Sequence, residues 1–242
     1  MCYNTGAMSE PRLVLASQSP RRRELLHLLG LPFAVTVADV TEEQKTGETP
    51  AELVTRLSRA KAERAIIRAE APDVGHAAPH EPRDTLIIAC DTIVALEEGL
   101  DGAPRILGKP RDPKEATAML RLLRGRSHTV YSGITVRNEI HRATTQLAKT
   151  RLTMRTYTER ELSTYVASGD PLDKAGAYAI QHEGFHPVAT IEGCYASVMG
   201  LPLCHLTRCL RHWGRPPAVD VPAACQAHTD RRCNVYQEII GF

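Results

Sequence analysis

The sequence lacks the features that mark several large classes of protein. No apolar run approaches the roughly 20 residues that a membrane-spanning helix needs. Residues 1–11 have no apolar core like that of a signal peptide. The formal net charge is only +2, which is too little to indicate nucleic-acid binding across the whole surface. We therefore expect neither a membrane association nor a stable nucleic-acid partner.

A disulfide framework is also missing. The seven cysteines are odd in number and follow no regular spacing, which predicts reduced thiols and a cytoplasmic location. A zinc site that uses His205 or His212 is an alternative, but the spacings match no usual zinc pattern. We therefore favour buried or idle thiols.

The chain does contain enough apolar residues for a substantial core. Its 242 residues, 43% of them hydrophobic, suit one large domain or two small ones. We predict a loose N-terminal extension over residues 1–11 and a main domain over residues 12–212, with a surface loop at 71–84. Residues 213–242 show no sustained pattern, and we interpret them as a C-terminal tail, for which disorder is one explanation.

Residues 13–30 have the pattern of a strand, a tight turn and a helix. Leu13–Ala16 is a short apolar run typical of a buried strand. Ser19 can cap a helix, and Pro20 suits the first helical position, where its missing N–H costs nothing. Gly30 suits the end of the helix.

Three arginines, Arg21 to Arg23, occupy the first turn of that helix, where the backbone already carries partial positive charge. Cations there cost roughly 0.3–1 kcal/mol each, so their presence needs an explanation. Free N–H groups, arginine side chains and the hydroxyls of Ser17 and Ser19 together form a good receptor for phosphate. The alternative is a solvated helix start whose arginines pair with carboxylates elsewhere. We favour the anion site.

A single carboxylate interrupts the most apolar stretch of the chain. Residues Thr85–Leu96 form a continuous apolar run typical of a strand that is covered on both faces, with Asp91 in its middle. An ionised carboxylate is costly to bury unless it is paired, hydrogen-bonded or bound to metal. Asp91 could instead end one strand and begin a turn. We favour a functional role, because apolar residues continue on both sides.

Three acids lie at the end of the next predicted strand, which we place at residues 33–40. Asp39, Glu42 and Glu43 lie within five residues and could bind a metal ion. They could equally form a solvated turn.

Two lysines and a glutamine are further candidates, each with an ordinary surface explanation beside the functional one. Lys61 continues an apolar helical row and could either snorkel outward or reach into a cleft. Lys109 lies in a tight loop between glycine and proline, which is a rigid place to present a cation. Gln181 follows a run of small residues from 174, which we interpret as a strand that a ligand can approach closely. Its amide could pair with the edge of a nucleobase.

Four separated stretches resemble the Maf family of nucleotide pyrophosphatases. They are Ser-Gln-Ser-Pro-Arg-Arg, Cys-Asp-Thr-Ile-Val, Leu-Gly-Lys-Pro-Arg-Asp, and Lys-Ala-Gly-Ala-Tyr-Ala-Ile-Gln followed by Val-Met-Gly-Leu-Pro-Leu. Each is moderately specific, and their order and spacing make the resemblance strong over residues 12–212. The Lys-Ala-Gly-Ala-Tyr-Ala-Ile-Gln form is similar to the dTTP/UTP branch of the family rather than the branch that acts on 7-methyl-GTP.

This resemblance implies a fold and an activity. The fold would be α/β, with a mixed sheet and two lobes around a central cleft, as in inosine-triphosphate pyrophosphatases. The activity would be metal-assisted hydrolysis of nucleoside triphosphates, dTTP and UTP above all, to the monophosphate and pyrophosphate. A house-cleaning role in the nucleotide pool and a homodimer would follow from the same resemblance.

The resemblance also implies roles for individual residues. Asp91 would accept a proton and, with Glu42, hold a divalent metal ion, while Lys61 and Lys109 would assist at the phosphates. The ion would be Mg²⁺ or Mn²⁺, because the proposed ligands are oxygens. The residues that would bind the substrate are Ser17, Arg21, Arg22, Thr92 and Gln181, and those associated with substrate choice are Arg21, Thr92 and Gln181.

This chain departs from the family at the acidic segment. Many members have Asp-Glu where this sequence has Thr41-Glu42, and Glu43 adds another acid. Either Glu42 or Glu43 could therefore contact the metal. A different class of function also stays open, namely a non-catalytic regulator of septation that clamps nucleotide or nucleic-acid phosphates. The weak net charge and the acids that face the cations argue against it.

Overall fold

The computed structural model describes residues 12–69, 85–97, 104–140 and 142–241. The predicted extension at 1–11 and the predicted loop at 71–84 lie outside these ranges. In chain order the elements are β1 (Arg12–Ala16), α1 (Pro20–His27), β2 (Phe33–Thr36), α2 (Pro50–Ala69), β3 (Thr85–Leu96), β4 (Arg105–Leu107), α3 (Pro113–Leu123), β5 (Ser127–Asn138), β6 (Ala143–Met154), α4 (Glu159–Ala167), β7 (Val188–Glu192), α5 (Tyr195–Met199), α6 (Leu203–His212), α7 (Val221–Thr229) and α8 (Tyr236–Ile240).

The described strands form one seven-stranded mixed sheet. Its order is β2-β1-β3-β5-β6-β7, and β4 pairs with β3 beside that path. β1 is parallel to both β2 and β3, whereas the other pairs are antiparallel. This arrangement confirms the predicted mixed α/β class. No helix in the described ranges has the length and apolar character needed to cross a bilayer.

The long strand β3 carries a gap along one edge. Its first residues, Thr85–Ile88, pair with β1, and its last, Val94–Leu96, pair with β4. Between them, residues 89–93 have no strand partner on that edge within the described chain, although β5 pairs with β3 along the opposite edge. The gap separates the β1–β2 side of the sheet from the β4 side. Asp91 and Thr92 lie in this gap, so the predicted cleft opens beside them.

Strand alternation places neighbouring β3 side chains on opposite faces of the sheet. Ile87, Ala89 and Ile93 pack in clusters with buried residues of α2. The alternate β3 residues join the main core, to which α1, α3 and α6 contribute. Asp91 therefore faces α2, and Thr92 faces the main core.

Gly133 allows α2 to approach the sheet closely. It lies opposite Asp91 in the β3–β5 register. A Cβ atom at this position would stand 2.4 Å from the carbonyl oxygen of Val54 in α2. Backbone cannot yield at so short a distance, so a glycine is required where the helix that carries Lys61 meets the sheet.

We expect Gly133→Ala to displace α2 and to destabilise the protein by about 1–3 kcal/mol, as overpacking usually does. Chemical denaturation measures the loss. The matched control is Gly184→Ala, whose Cβ would meet only the His182 ring, at an ordinary van der Waals distance of 3.4 Å; a change within about 0.5 kcal/mol is expected there. Equal stability of Gly133→Ala and wild type would show that α2 does not depend on this close approach.

Two predicted strands are shorter or absent. β2 ends at Thr36 rather than Val40, because its partner β1 ends at Ala16, which is opposite Thr36 in the register. The small-residue run from 174 to 181 is not a strand. It contains a 3-10 turn at Ala175–Ala177, with left-handed backbone at Gly176 (φ 68°) and Ala177 (φ 61°), and this conformation interrupts any extended segment.

Residues 213–241, for which the sequence left disorder as one explanation, contain two helices. Residues 221–229 and 236–240 form α7 and α8, and Asp220 caps α7 by accepting a hydrogen bond from Ala223 N at 3.0 Å. Val221, Cys225, Val235 and Ile239 pack against the main core. The two helices are too short for a hydrophobic period to be visible in the sequence.

Candidate active site

A cleft of about 420 Å³ opens at the gap in the β3 edge. That volume is in the usual range for a small-molecule site. The sequence-predicted residues that line it are Ser17, Ser19, Arg21, Arg22, Asp39, Glu42, Lys61, Thr92, Lys109 and Gln181. Asp91 does not line the cleft but lies just beneath it, 5% exposed. Tertiary structure thus brings the predicted site residues together around one cavity.

The turn after β1 presents the positive end of α1 to the cleft. Ser19 is the N-cap, and its hydroxyl accepts a weak hydrogen bond from Arg22 N at 3.4 Å. Ser17 Oγ accepts from Ser19 N at 3.2 Å, which fixes the turn. The first helical turn contains no acidic residue, so its partial positive charge is available to an anion.

Arg22 points into the cleft and contacts neutral groups. Its Nε donates to the carbonyl oxygen of Gly200 at 2.9 Å. Its two terminal nitrogens lie 3.4 Å from the hydroxyls of Ser17 and Thr92. These contacts orient the guanidinium without neutralising it. This geometry supports the predicted anion site.

Arg21 differs from its neighbour, because its Nη1 forms an ion pair with Asp173 Oδ2 at 3.1 Å. The alternative raised from the sequence, an arginine paired with a distant carboxylate, is therefore what the structure shows for Arg21. The two arginines are not equivalent.

Lys61 joins two carboxylates at the base of the cleft. Its Nζ lies 2.5 Å from Asp91 Oδ1 and 2.6 Å from Glu42 Oε1. The side chain is only 11% exposed, so it reaches into the cleft instead of snorkelling outward. Burial raises the pKa of Glu42, but the Lys61 ammonium, helped by Lys109 and Arg22, outweighs burial and lowers it below its ordinary value. Glu42 is therefore ionised at neutral pH.

Glu42 and Asp91 supply the kind of oxygen that Mg²⁺ and Mn²⁺ prefer. Glu43 is placed differently, because its side chain does not line the cleft and its carbonyl oxygen accepts from Arg56. Across the described ranges, no group of three or more His, Cys, Asp or Glu side chains is placed to hold a metal. The two carboxylates fit such an ion only with further oxygens from a bound phosphate or water, and the ion would share them with Lys61.

Thr92 couples the gap in β3 to helix α5. Its hydroxyl is 2.9 Å from that of Ser132, which in turn donates to the carbonyl oxygen of Ser197 at 2.9 Å. Gly200, whose carbonyl oxygen accepts a hydrogen bond from Arg22, directly follows α5 in the chain. Thr92 therefore orients Arg22 and is itself held from the core side.

Gln181 lies on the wall opposite α1, in the segment that follows the Ala175–Ala177 turn. Gly176 N donates to Gly108 O at 3.0 Å, which joins this wall to the loop that presents Lys109. Gly176 needs to be glycine, since its φ is 68° and a Cβ would stand 2.8 Å from a methyl group of Val94. The same wall of the cleft therefore presents both the Lys109 ammonium and the Gln181 amide.

The sequence analysis missed several residues of this wall. Asp173, Lys174 and Tyr178 all line the cleft. Tyr178 OH is 2.7 Å from Nε2 of the buried His128, and burial lowers the pKa of that histidine to about 4, so it is neutral at physiological pH. The signal for these residues was their place in the 173–181 stretch, since Asp173 and Tyr178 have distant partners in Arg21 and His128, although Lys174 contacts the nearby Asp170 and Asp173.

Comparison with known proteins gives consistent matches. The family model described as Maf-like protein matches residues 12–213. A dTTP/UTP pyrophosphatase of Pelotomaculum thermopropionicum is 42% identical over 204 residues, covering 84% of this chain and 96% of the relative. A dTTP/UTP pyrophosphatase of Myxococcus xanthus is 43% identical over 204 residues, covering 84% and 93%.

A crystal structure of a nucleoside-triphosphatase / dITP/XTP pyrophosphatase from Mycobacterium abscessus aligns with 60% of this chain and 75% of its own, at 14% identity. Its TM-score of 0.35 is too low to bear on the fold. The family model, in contrast, spans every residue that lines the cleft. The bacterial relatives also align along nearly their full length. This chain belongs to the Maf family.

Proposed function

We propose that this protein hydrolyses nucleoside triphosphates between the α and β phosphates, with dTTP and UTP as the preferred substrates. The observation that carries the proposal is the cleft, where a helix N-terminus and an unneutralised Arg22 stand over the Lys61–Asp91–Glu42 cluster. The names of the bacterial relatives support the same activity and substrates.

The triphosphate would bind along the α1 side of the cleft. Arg22 offers charged N–H donors, and the turn at Ser17 offers a hydroxyl and backbone N–H groups. Lys109 adds a second cation from the opposite wall. Fixed donors of this kind offset the substrate charge without reorganising during the reaction.

The hydrolytic step would use Asp91 as proton acceptor. Water attacks the α phosphorus, the bond from that phosphorus to the bridging oxygen breaks, pyrophosphate leaves with the electron pair, and the water proton passes to Asp91. Lys61 orients Asp91 before the reaction through the contact between its Nζ and Asp91 Oδ1. A divalent ion at Glu42 and Asp91 would supply further positive charge to the phosphates.

The test is incubation of purified protein with a panel of common triphosphates and Mg²⁺ or Mn²⁺, with monophosphate and pyrophosphate measured separately. We expect both products from dTTP and UTP, and none after chelation of the metal. Release of orthophosphate would place the cleavage elsewhere in the triphosphate. Binding without turnover would favour the non-catalytic regulator. The house-cleaning role, the cytoplasmic location and the homodimer stay predictions.

Gln181 is proposed to select the base. A glutamine amide held in one orientation can pair at once with O4 and N3–H of thymine or uracil, whereas cytosine presents the donor and the acceptor in the reverse order and would leave both pairs unmade. We expect Gln181→Ala to reduce the ratio of kcat/KM for dTTP over CTP by about 10- to 100-fold. The matched control is Gln237→Ala in the remote helix α8, which should keep the ratio. If Gln181→Ala leaves the order of preferred triphosphates unchanged, the base pocket lies elsewhere, and Thr92 is the next candidate.

A further inference from the structure

We propose that Asp173 is a positioning residue: its ion pair with Arg21 ties helix α1 to the wall that carries Gln181, and so sets the discrimination between bases. This inference rests on the proposed function. It gives Asp173 a role and gives Arg21 a task different from that of Arg22.

The Arg21–Asp173 contact joins two segments that both line the cleft. Arg21 is in the first turn of α1, next to the phosphate-binding turn, and Asp173 ends a 3-10 turn at Asp170–Asp173 on the opposite wall. Both residues line the cleft, and Nη1 and Oδ2 are 3.1 Å apart. The two residues are 152 positions apart in the chain, so this pair directly joins separate parts of the fold.

Asp173 is anchored firmly on its own wall. Its Oδ1 accepts from Lys174 Nζ at 2.6 Å, and the same ammonium contacts Asp170 through Oδ1 at 2.9 Å and through the carbonyl oxygen at 2.6 Å. Lys174 is only 8% exposed, and a lysine so buried depends on these partners. Asp173, whose side chain is 60% exposed, is therefore held by Lys174 as well as by Arg21.

The same network continues to the backbone that carries Gln181. Tyr165 OH donates to Asp170 Oδ2 at 2.7 Å, and Ala179 N donates to Tyr165 OH at 2.9 Å. Ala179 precedes Gln181 by two residues. A continuous series of polar contacts thus leads from α1, across the cleft, to the segment that would meet the base.

The charges of Arg21 and Asp173 favour an ion pair that joins the two segments over a role for Arg21 as a second phosphate ligand. Burial raises the pKa of Asp173, but Lys174 and Arg21 outweigh burial and lower it, so the carboxylate is ionised at neutral pH. Arg21 is then neutralised by contact, whereas Arg22 meets neutral groups. Arg22 is left for the phosphates, and Arg21 ties α1 to the segment that leads to Gln181.

The experiment is a double-mutant cycle on the full chain with Arg21→Gln, Asp173→Asn and both together. Asn keeps an oxygen for Lys174 while removing the charge that holds Arg21. Arg21→Lys is the conservative variant, and Asp230→Asn is the matched control. Asp230 is exposed and has left-handed backbone (φ 48°), which asparagine tolerates well.

Three readouts are measured: kcat and KM for dTTP and CTP, binding of a dTTP analogue with a methylene bridge between the α and β phosphates, and amide hydrogen exchange of the peptide that contains Ala179. Each single variant should weaken analogue binding about three- to fivefold, the scale of a partly exposed ion pair. KM should change more than kcat, the preference for dTTP over CTP should fall, and the peptide should exchange faster. The double variant should be no worse than either single one, and Arg21→Lys should recover part of the loss.

Two results would contradict the proposed role of the Arg21–Asp173 ion pair. Losses that multiply in the double variant would mean that the residues act independently. Tighter analogue binding by Asp173→Asn would mean that Asp173 competes with phosphate for Arg21. The binding readout separates this failure from failure of the proposed function: a wild type that binds the analogue without turnover refutes only the hydrolysis, whereas a wild type that binds no nucleotide refutes both.

Discussion

Replacement of Asp91 by asparagine should slow pyrophosphate release by about 10²–10⁴-fold, the contribution usual for a positioned proton acceptor. The amide has nearly the same shape but cannot accept the water proton, and it removes one of the two anionic charges held around Lys61. Because Asp91 lies beneath the cleft rather than on its wall, the substitution should lower the rate of hydrolysis and leave the affinity for nucleotide nearly unchanged.

Single-turnover rates and equilibrium binding of the methylene-bridged dTTP analogue measure the two quantities separately. Asp230→Asn, the same chemical change at an exposed site, controls for general effects on the fold. Near-normal turnover by Asp91→Asn would remove the proton-acceptor assignment. A loss of analogue binding as large as the loss of rate would make Asp91 a binding or structural residue.

Arg22→Gln should weaken binding of the dTTP analogue by about 10- to 100-fold, because a charge-assisted hydrogen bond to phosphate contributes about 1.5–3 kcal/mol. The glutamine amide stands near the position of Arg22 Nε and can still contact Gly200, but it carries no charge, so the fold should be retained. Removal of a cation from the positive end of α1 relieves repulsion of about 0.3–1 kcal/mol, which further limits any loss of stability.

Arg23→Gln is the matched control for Arg22→Gln. Arg23 is in the same helical turn and carries the same charge, but it is exposed and does not line the cleft. We expect a much smaller loss of affinity there, and one that disappears at high salt. Equal losses in the two variants would mean that the helix start attracts phosphate through general charge, without a specific contact from Arg22.

The parts of this site that the sequence could predict depend on contacts within a few residues of the chain. The turn from Ser17 to Pro20 is one example, since the cap and the first helical position are set by neighbours along the chain. The capping box of Thr49 with Glu52, at the start of the helix that carries Lys61, depends on the same kind of local contact. Asp91 was found by a different signal, the cost of one carboxylate within an apolar strand.

The sequence by itself determined two features of the site: a helix start rich in arginine and a buried carboxylate. Both could be predicted because capping, helix initiation and the burial of a strand depend on residues that are neighbours in the chain. Only the tertiary structure decided which arginine is neutralised: Arg21 and Arg22 are adjacent in the chain, yet one meets Asp173 and the other meets Gly200, 178 positions away. The left-handed backbone at Gly176 and the packing of α7 and α8 were likewise decided by distant partners. Such choices depend on packing between segments far apart in sequence, and local propensity carries no information about which of those segments will meet.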